Sequence, residues 1–195
     1  MTLPNLTILL GKTFSGKSTY IDNHPEYKQI KTHTTRPIRD TETGNEYYFE
    51  KEDTNSPFQV SKRVYKTAFG LWAYWMQLDD LNFEENNIII LDLEGTTALL
   101  DKIVENYGEE YLNKISILYK LTPLKTLIDR MQNSSRGENE SLVESIRRLA
   151  SDNEVFAGVE TYLEYSRESK DQEVYDITDY VIHRYLDEVE NETHL

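Results

Sequence analysis

Leu6-Thr7-Ile8-Leu9-Leu10 runs directly into Gly11-Lys12-Thr13-Phe14-Ser15-Gly16-Lys17-Ser18-Thr19, and the reading of the fold turns on that junction. A short apolar run with almost no polar alternation is the pattern of a strand covered on both faces, as in a parallel sheet. The second stretch spells G-x-x-x-x-G-K-[ST], a phosphate-binding loop placed where such a strand would turn into a helix. Gly11 and Gly16 let the backbone curl so that successive N–H groups aim at phosphate oxygens. Lys17 adds a mobile positive charge and Ser18 a hydroxyl for Mg²⁺, while a helix over Ser18 to Asn23 would add the positive end of its dipole. The predicted cofactor-binding set is therefore Gly11, Lys12, Thr13, Phe14, Ser15, Gly16, Lys17, Ser18 and Thr19, and the ligands it suits are ATP and Mg²⁺.

Further apolar runs repeat the strand pattern at Ile88 to Leu91, Ile115 to Leu121 and Tyr180 to Ile182. Helical patterning occupies Gly95 to Asn106, Leu124 to Met131, Leu142 to Ser166 and Tyr185 to Val189, with Thr122-Pro123 at the entry to the second. This alternation predicts an α/β fold of the P-loop NTPase type, a parallel sheet flanked by helices. Residues 32–81 have another texture, rich in Thr, Tyr, Phe and Trp and broken by Gly44, Pro57 and Gly70, and read as an inserted strand-rich subdomain. The polar stretch Gln132 to Glu140 separates two helical segments and, with its arginines, reads as part of a mobile lid. The expected plan is a single domain over 1–195, with a core of 1–31, 82–131 and 150–195, the inserted subdomain 32–81, which the resemblance described below implies is acceptor-binding, and the lid 132–149.

The chain of 195 residues is long enough for one substantial core and shows no linker, repeat or low-complexity segment. A net charge of -14 repels a polyanion over most of the surface, which argues against nucleic acid as a partner. A small phosphorylated ligand needs only a local cluster of cations, and the candidates are Lys17, Arg36, Arg39, Arg130, Arg136, Arg147 and Arg148. The absence of cysteine excludes a disulfide framework and a thiolate metal site. No apolar run approaches the length a bilayer requires, and no signal-peptide pattern opens the chain, so the expected location is cytoplasmic, with no membrane partner. No His, Asp and Glu group has metal-site spacing, so any metal is expected to arrive with the nucleotide. Nucleotide substrates are the expected partners, with the chain a monomer or homodimer.

A second constellation is Thr32-His33-Thr34-Thr35-Arg36-Pro37-Ile38-Arg39, followed by Gly44-Asn45-Glu46-Tyr47-Tyr48-Phe49. Two guanidinium groups near a short turn can clamp one phosphate, with the Tyr47 phenol adding a hydrogen bond. The competing reading makes both arginines solvated strand-edge charges and packs Tyr47 in the core. Together with the phosphate loop, these pieces resemble guanylate kinase, whose members carry T-T-R-x-x-R, a short acidic turn and G-x-x-Y-x-F in the same order. The resemblance continues through Ile88-Ile89-Ile90-Leu91-Asp92-Leu93-Glu94-Gly95, similar to the family's I-L-D-x-[DE] segment. Leu127-Ile128-Asp129-Arg130 and Arg136-Gly137-Glu138 are similar to its arginine-bearing lid, and Ile146-Arg147-Arg148-Leu149 to the helix behind.

The resemblance implies transfer of the γ-phosphoryl of ATP to a monophosphate, GMP or dGMP. On that basis Ser18 and Asp92 would place Mg²⁺, and Thr32, Arg36, Arg39, Tyr47 and Tyr74 would bind the acceptor, whose base Glu94 would face. Lys17, Arg130, Arg136 and Arg147 or Arg148 would be the catalytic cations on the migrating group.

The chain also departs from the family. Val64 falls where a glutamate holds the guanine edge, and Ala73 where a second tyrosine stands, with Tyr74 one position on. Ribose bisphosphate phosphokinases, which resemble guanylate kinases and lack that glutamate, are the nearby alternative. Non-catalytic guanylate-kinase-like interaction modules are the other, and those typically lose the loop lysine and lid arginines that this chain retains. Lys12, Thr13 and Phe14 replace Pro, Ser and Gly at positions expected to face outward. The acidic turn is about one residue shorter and the lid about two residues longer than usual. His183 comes after the expected final strand, where the family has Asn. Trp72, Tyr74 and Trp75 read as strand core, with base stacking as the other reading. Tyr162 and Tyr165 read as packing residues and His24-Pro25 as a turn.

Overall fold

Residues Leu6–Leu10 are buried without exception and form β1, the middle strand of a five-stranded sheet. The computed structural model describes residues 5–38, 42–44, 47–51, 59–67, 70–133, 142–166 and 172–193. After β1 come α1 (Lys17–Asp22), β2 (Lys28–Gln29), β3 (His33–Thr34), β4 (Tyr48–Phe49), β5 (Gln59–Thr67), β6 (Gly70–Gln77) and β7 (Asn87–Ile90). The second half holds α2 (Leu93–Tyr107), β8 (Ile115–Lys120), α3 (Leu124–Asn133), α4 (Leu142–Val155), α5 (Ala157–Ser166), β9 (Val174–Asp176) and α6 (Thr178–Thr193).

The main sheet has the order β2-β7-β1-β8-β9. β7 and β8 flank β1 in parallel, β2 extends the sheet beyond β7, and β9 runs antiparallel to β8. The chain therefore fills one side of β1, edge strand β2 first and then β7 between them, before crossing to the other. That order puts the crevice beyond the carboxyl end of β1 at a topological switch point, the usual seat of a ligand in an open α/β sheet. Leu99, Leu100 and Ile103 of α2 and Val159 and Leu163 of α5 lie in the same core as Leu6, Ile8 and Ile117 of the strands.

Three expectations need correction. The sheet is mixed rather than parallel throughout, and its last strand is Val174–Asp176, not Tyr180 to Ile182, which lies inside α6. The reason is periodic. Ile177, Val181 and Tyr185 recur every fourth residue and all are buried, so a short apolar run that passes for a strand belongs to a helical stripe. Asp176 reinforces the boundary, accepting from both the amide and the hydroxyl of Thr178 at 2.9 and 2.6 Å. His183 is thus an exposed helix residue. The helix expected over Leu142 to Ser166 is interrupted at Phe156, whose ring is pinned beneath Tyr119 with centroids 5.3 Å apart.

A second sheet, of order β4-β3-β6-β5, is formed by residues between β2 and β7. β3 and β4 are parallel, while β6 runs antiparallel to both β3 and β5. Its far end is tied into the main core by Met76, Leu78 and Leu81, and β5 lies against α2. Among the described residues, no helix is long and apolar enough to cross a membrane.

Candidate functional site

Directly after β1 the backbone takes the unusual angles that the glycine pattern foretells. Gly11 has φ +147° and Gly16, which caps α1, has φ +88°. A side chain at Gly11 would meet the Lys120 carbonyl at 2.9 Å and has no room, whereas at Gly16 the positive φ disfavours a side chain and a Cβ would press on the Arg130 guanidinium at 3.1 Å. Between them, the Ser15 amide donates to Lys12 O at 3.1 Å, closing a four-residue turn whose third member, Phe14, has φ +66°. Positive φ at that position is the mark of a type II turn, which favours glycine. Phe14 therefore occupies a strained conformation.

Lys17 begins α1, and its Nζ donates to Gly11 O at 2.6 Å and Lys12 O at 2.9 Å, folding its charge over the mouth of the loop. Ser18 and Thr19 come next, both exposed or half-exposed on the first turn. α1 has only six residues, so its dipole adds little and the loop amides carry most of the attraction for an anion. Ser15 Oγ is buried in the loop and has no hydrogen-bond partner among the described residues. A glycine-lined cradle, a lysine at its mouth and that buried hydroxyl fit a polyphosphate ligand.

Distant residues clamp this loop from outside. Lys12 is buried, not outward-facing as expected, and its ammonium donates to Glu160 Oε2 at 2.7 Å. The other oxygen of Glu160 accepts from Tyr119 OH at 2.8 Å. Burial, and then the neighbouring Glu160 and Asp152, push the Tyr119 pKa far above the usual tyrosine value. The amide of Thr13 donates to Asp152 Oδ2 at 2.5 Å. Arg130, in the last turn of α3, donates to Phe14 O at 3.1 Å and Ser15 O at 2.9 Å, and Thr122 Oγ1 donates to Ser15 O at 3.1 Å. Lys120 lies against Gly11 and Gly16 and pairs with Glu173 at 2.8 Å.

Arg130 thus sits at the loop, on its carbonyl side. Arg147 is exposed on α4 and forms two hydrogen bonds, of 2.9 and 2.6 Å, with Glu144 of the same helix. Arg148 is half-buried beside it, while Arg136 and Arg39 lie outside the described residues. Asp92, at the end of β7 and therefore next to β1 in the sheet, caps α2 by accepting from Gly95 N at 2.8 Å. Glu94 is exposed in the first turn of α2 and lines a groove with Val155, Tyr180 and Arg184.

The second sheet gathers Arg36, Tyr47 and Tyr74. The guanidinium of Arg36 is 2% exposed and makes a two-pronged pair with Glu42, at 2.9 and 2.7 Å. It also lies over the rings of Tyr47 and Phe49, 5.3 and 5.5 Å from their centroids. Burial would lower the Arg36 pKa, but the hydrogen bonds and charge of Glu42, helped by Tyr74, outweigh it and leave the pKa above its ordinary value. Tyr47 meets Tyr74 edge to face with centroids 5.9 Å apart. Thr32 O accepts from Tyr48 N at 3.0 Å, joining the entry of β3 to β4. Trp75 is core, stacked on His33 with ring planes 15° apart.

The sequence reading missed Asp152, Glu160, Tyr119 and Lys120. A signal was present: Asp152, Phe156 and Glu160 recur every fourth residue, so two carboxylates share a helical stripe with a buried phenylalanine. Acids on such a stripe demand a partner.

No family model matches the chain, and no curated protein matches it. Among solved structures, the guanylate kinase of Anaplasma phagocytophilum is similar over 87% of this chain and 89% of its own, at 12% identity and a TM-score of 0.46.

Proposed function

We propose that the chain is an ATP-dependent nucleoside monophosphate kinase, moving the γ-phosphoryl of ATP onto a monophosphate, with GMP and dGMP the first acceptors to test. The observation that carries the reading is the loop after β1, with both glycines in conformations that disfavour a side chain and Lys17 at its mouth. In this reading Lys17 and the amides of residues 11–19 hold the phosphates, and Ser18 and Asp92 hold Mg²⁺, which supplies charge neutralisation. The Arg36, Tyr47 and Tyr74 cluster, with Thr32 and Arg39, receives the acceptor phosphate. For Arg36 to take that phosphate, the acceptor has to displace the Glu42 carboxylate from the two prongs of the guanidinium. Arg130, Arg136 and Arg147 or Arg148 counter charge on the migrating group, and Glu94 faces the base. Residues 32–81 act as the acceptor-binding part and 132–149 as the lid, whose closure excludes water.

One sequence feature favours a second reading. Val64 in place of the guanine-holding glutamate suits a ribose bisphosphate phosphokinase-like enzyme. Coupled measurement of ADP release with GMP, dGMP, AMP, CMP, UMP, dTMP and ribose 1,5-bisphosphate separates the two. Turnover with a nucleoside monophosphate supports the first reading; turnover with the sugar phosphate and no nucleotide sinks it.

A further inference from the structure

The turn over Lys12, Thr13, Phe14 and Ser15 holds Phe14 at φ +66°, where a side chain with a Cβ is disfavoured. Such a conformation persists only where its surroundings impose it. The contacts that impose it come from far along the chain. Asp152 takes the amide of Thr13, immediately before Phe14, across 139 residues. Glu160 takes the ammonium of Lys12 across 148 residues and is itself fixed by Tyr119.

Asp152 lies in the last turn of α4, where a carboxylate gains nothing from the helix dipole, and Phe156 anchors the corner between α4 and α5 with 2% exposure. Asp152, Phe156 and Glu160 thus form one rigid face presented to the turn. Lys12 is 8% exposed and Glu160 uses both oxygens, so these contacts have defined geometry rather than the mobility of surface ion pairs.

We propose that Asp152 and Glu160 are positioning residues: they hold the phosphate loop in its ligand-ready shape against the strain of Phe14. The inference rests on the nucleotide reading of the loop, but the brace is built from protein groups alone. It has a specific consequence. A glycine at residue 14 removes the strain, so the loop should then keep its shape without the brace.

The test is a double-mutant cycle on the full chain with Asp152→Ala, Phe14→Gly and the pair, plus Asp152→Asn, which keeps an acceptor of the same size. Amide hydrogen exchange of Ser15, whose N–H closes the turn, is read without nucleotide, and Mg-ATP binding is read by titration calorimetry. Asp152→Ala should speed exchange at Ser15 and weaken Mg-ATP binding about 10-fold, a change of about 1.4 kcal/mol. Asp152→Asn should stay within about 3-fold of the unmodified chain, and in the Phe14→Gly background the Asp152→Ala effect should shrink to about 3-fold or less. Equal losses in both backgrounds, or unchanged exchange in Asp152→Ala, overturn the proposal. If the unmodified chain binds no Mg-ATP, the nucleotide reading fails, and the exchange cycle still decides whether Asp152 braces the turn.

Discussion

The phosphate loop and the Arg36 cluster both present a cation held by a carboxylate, yet they are assembled over very different distances in sequence. Arg36 finds Glu42 six residues away, inside one local excursion of the second sheet. Lys12 finds Glu160 and Thr13 finds Asp152 across 148 and 139 residues. A pair six residues apart draws on little of the rest of the chain. The loop keeps its shape only if α3, α4 and α5 are docked on the main sheet. The first region can therefore be perturbed piece by piece, whereas the second should answer to the packing of the whole C-terminal third.

The comparison is strained most by Arg36→Ala. Removing an arginine side chain that is 2% exposed takes from Glu42, itself 12% exposed, a paired cation in a largely dry setting. The expected loss is about 3–5 kcal/mol of stability, measured by urea unfolding. A loss under about 1 kcal/mol would mean that the pair is solvated and the local region is no more than a surface turn.

Tyr119→Phe is the milder cut, made in the long-range region. It removes one hydrogen bond to Glu160, worth about 1 kcal/mol. Its pH signature is more telling. Burial and Glu160 raise the Tyr119 pKa, so the stability it contributes is fully present below the ordinary tyrosine value of 10.0 and is lost as pH rises above it. Unfolding measured from about pH 9 to about pH 11 should show a falling stability whose slope is reduced in Tyr119→Phe. Identical slopes would place the phenol in a solvated setting and weaken the account of the clamp.

Arg147→Ala should cost least. Its partner Glu144 lies one turn away on an exposed helix face, and the Glu144 carboxyl is held below its ordinary value chiefly by that hydrogen bond. Stability measured by thermal unfolding should move by less than about 0.5 kcal/mol. A larger change would show that α4 depends on contacts beyond its own surface pair.

What was legible in the sequence divides along the same line. β1, the loop after it, α2 and α3 were readable within a few residues, because glycine, lysine and the apolar run act over neighbouring positions. Arg36, Tyr47 and Tyr74 were nominated from short motifs, and all three meet in the second sheet. The final strand was misplaced because three apolar residues, Tyr180 to Ile182, fit either period until Ile177 and Tyr185 are counted with them. Lys12 is expected to face outward because that position does so in many such loops, and its burial depends on a partner 148 residues away. Its partner Glu160 becomes visible only when an acid on a buried helical stripe is taken as a demand for a distant cation or donor.

The central claim is that the cradle after β1 takes a nucleotide polyphosphate through Lys17 and the loop amides. Titration calorimetry of Mg-ATP into the full chain, beside Lys17→Ala, measures it most directly. The account predicts one binding event per chain, weakened about 100-fold or more by Lys17→Ala with little change in melting temperature. No heat from the unmodified chain, or equal affinity in the two, would contradict it.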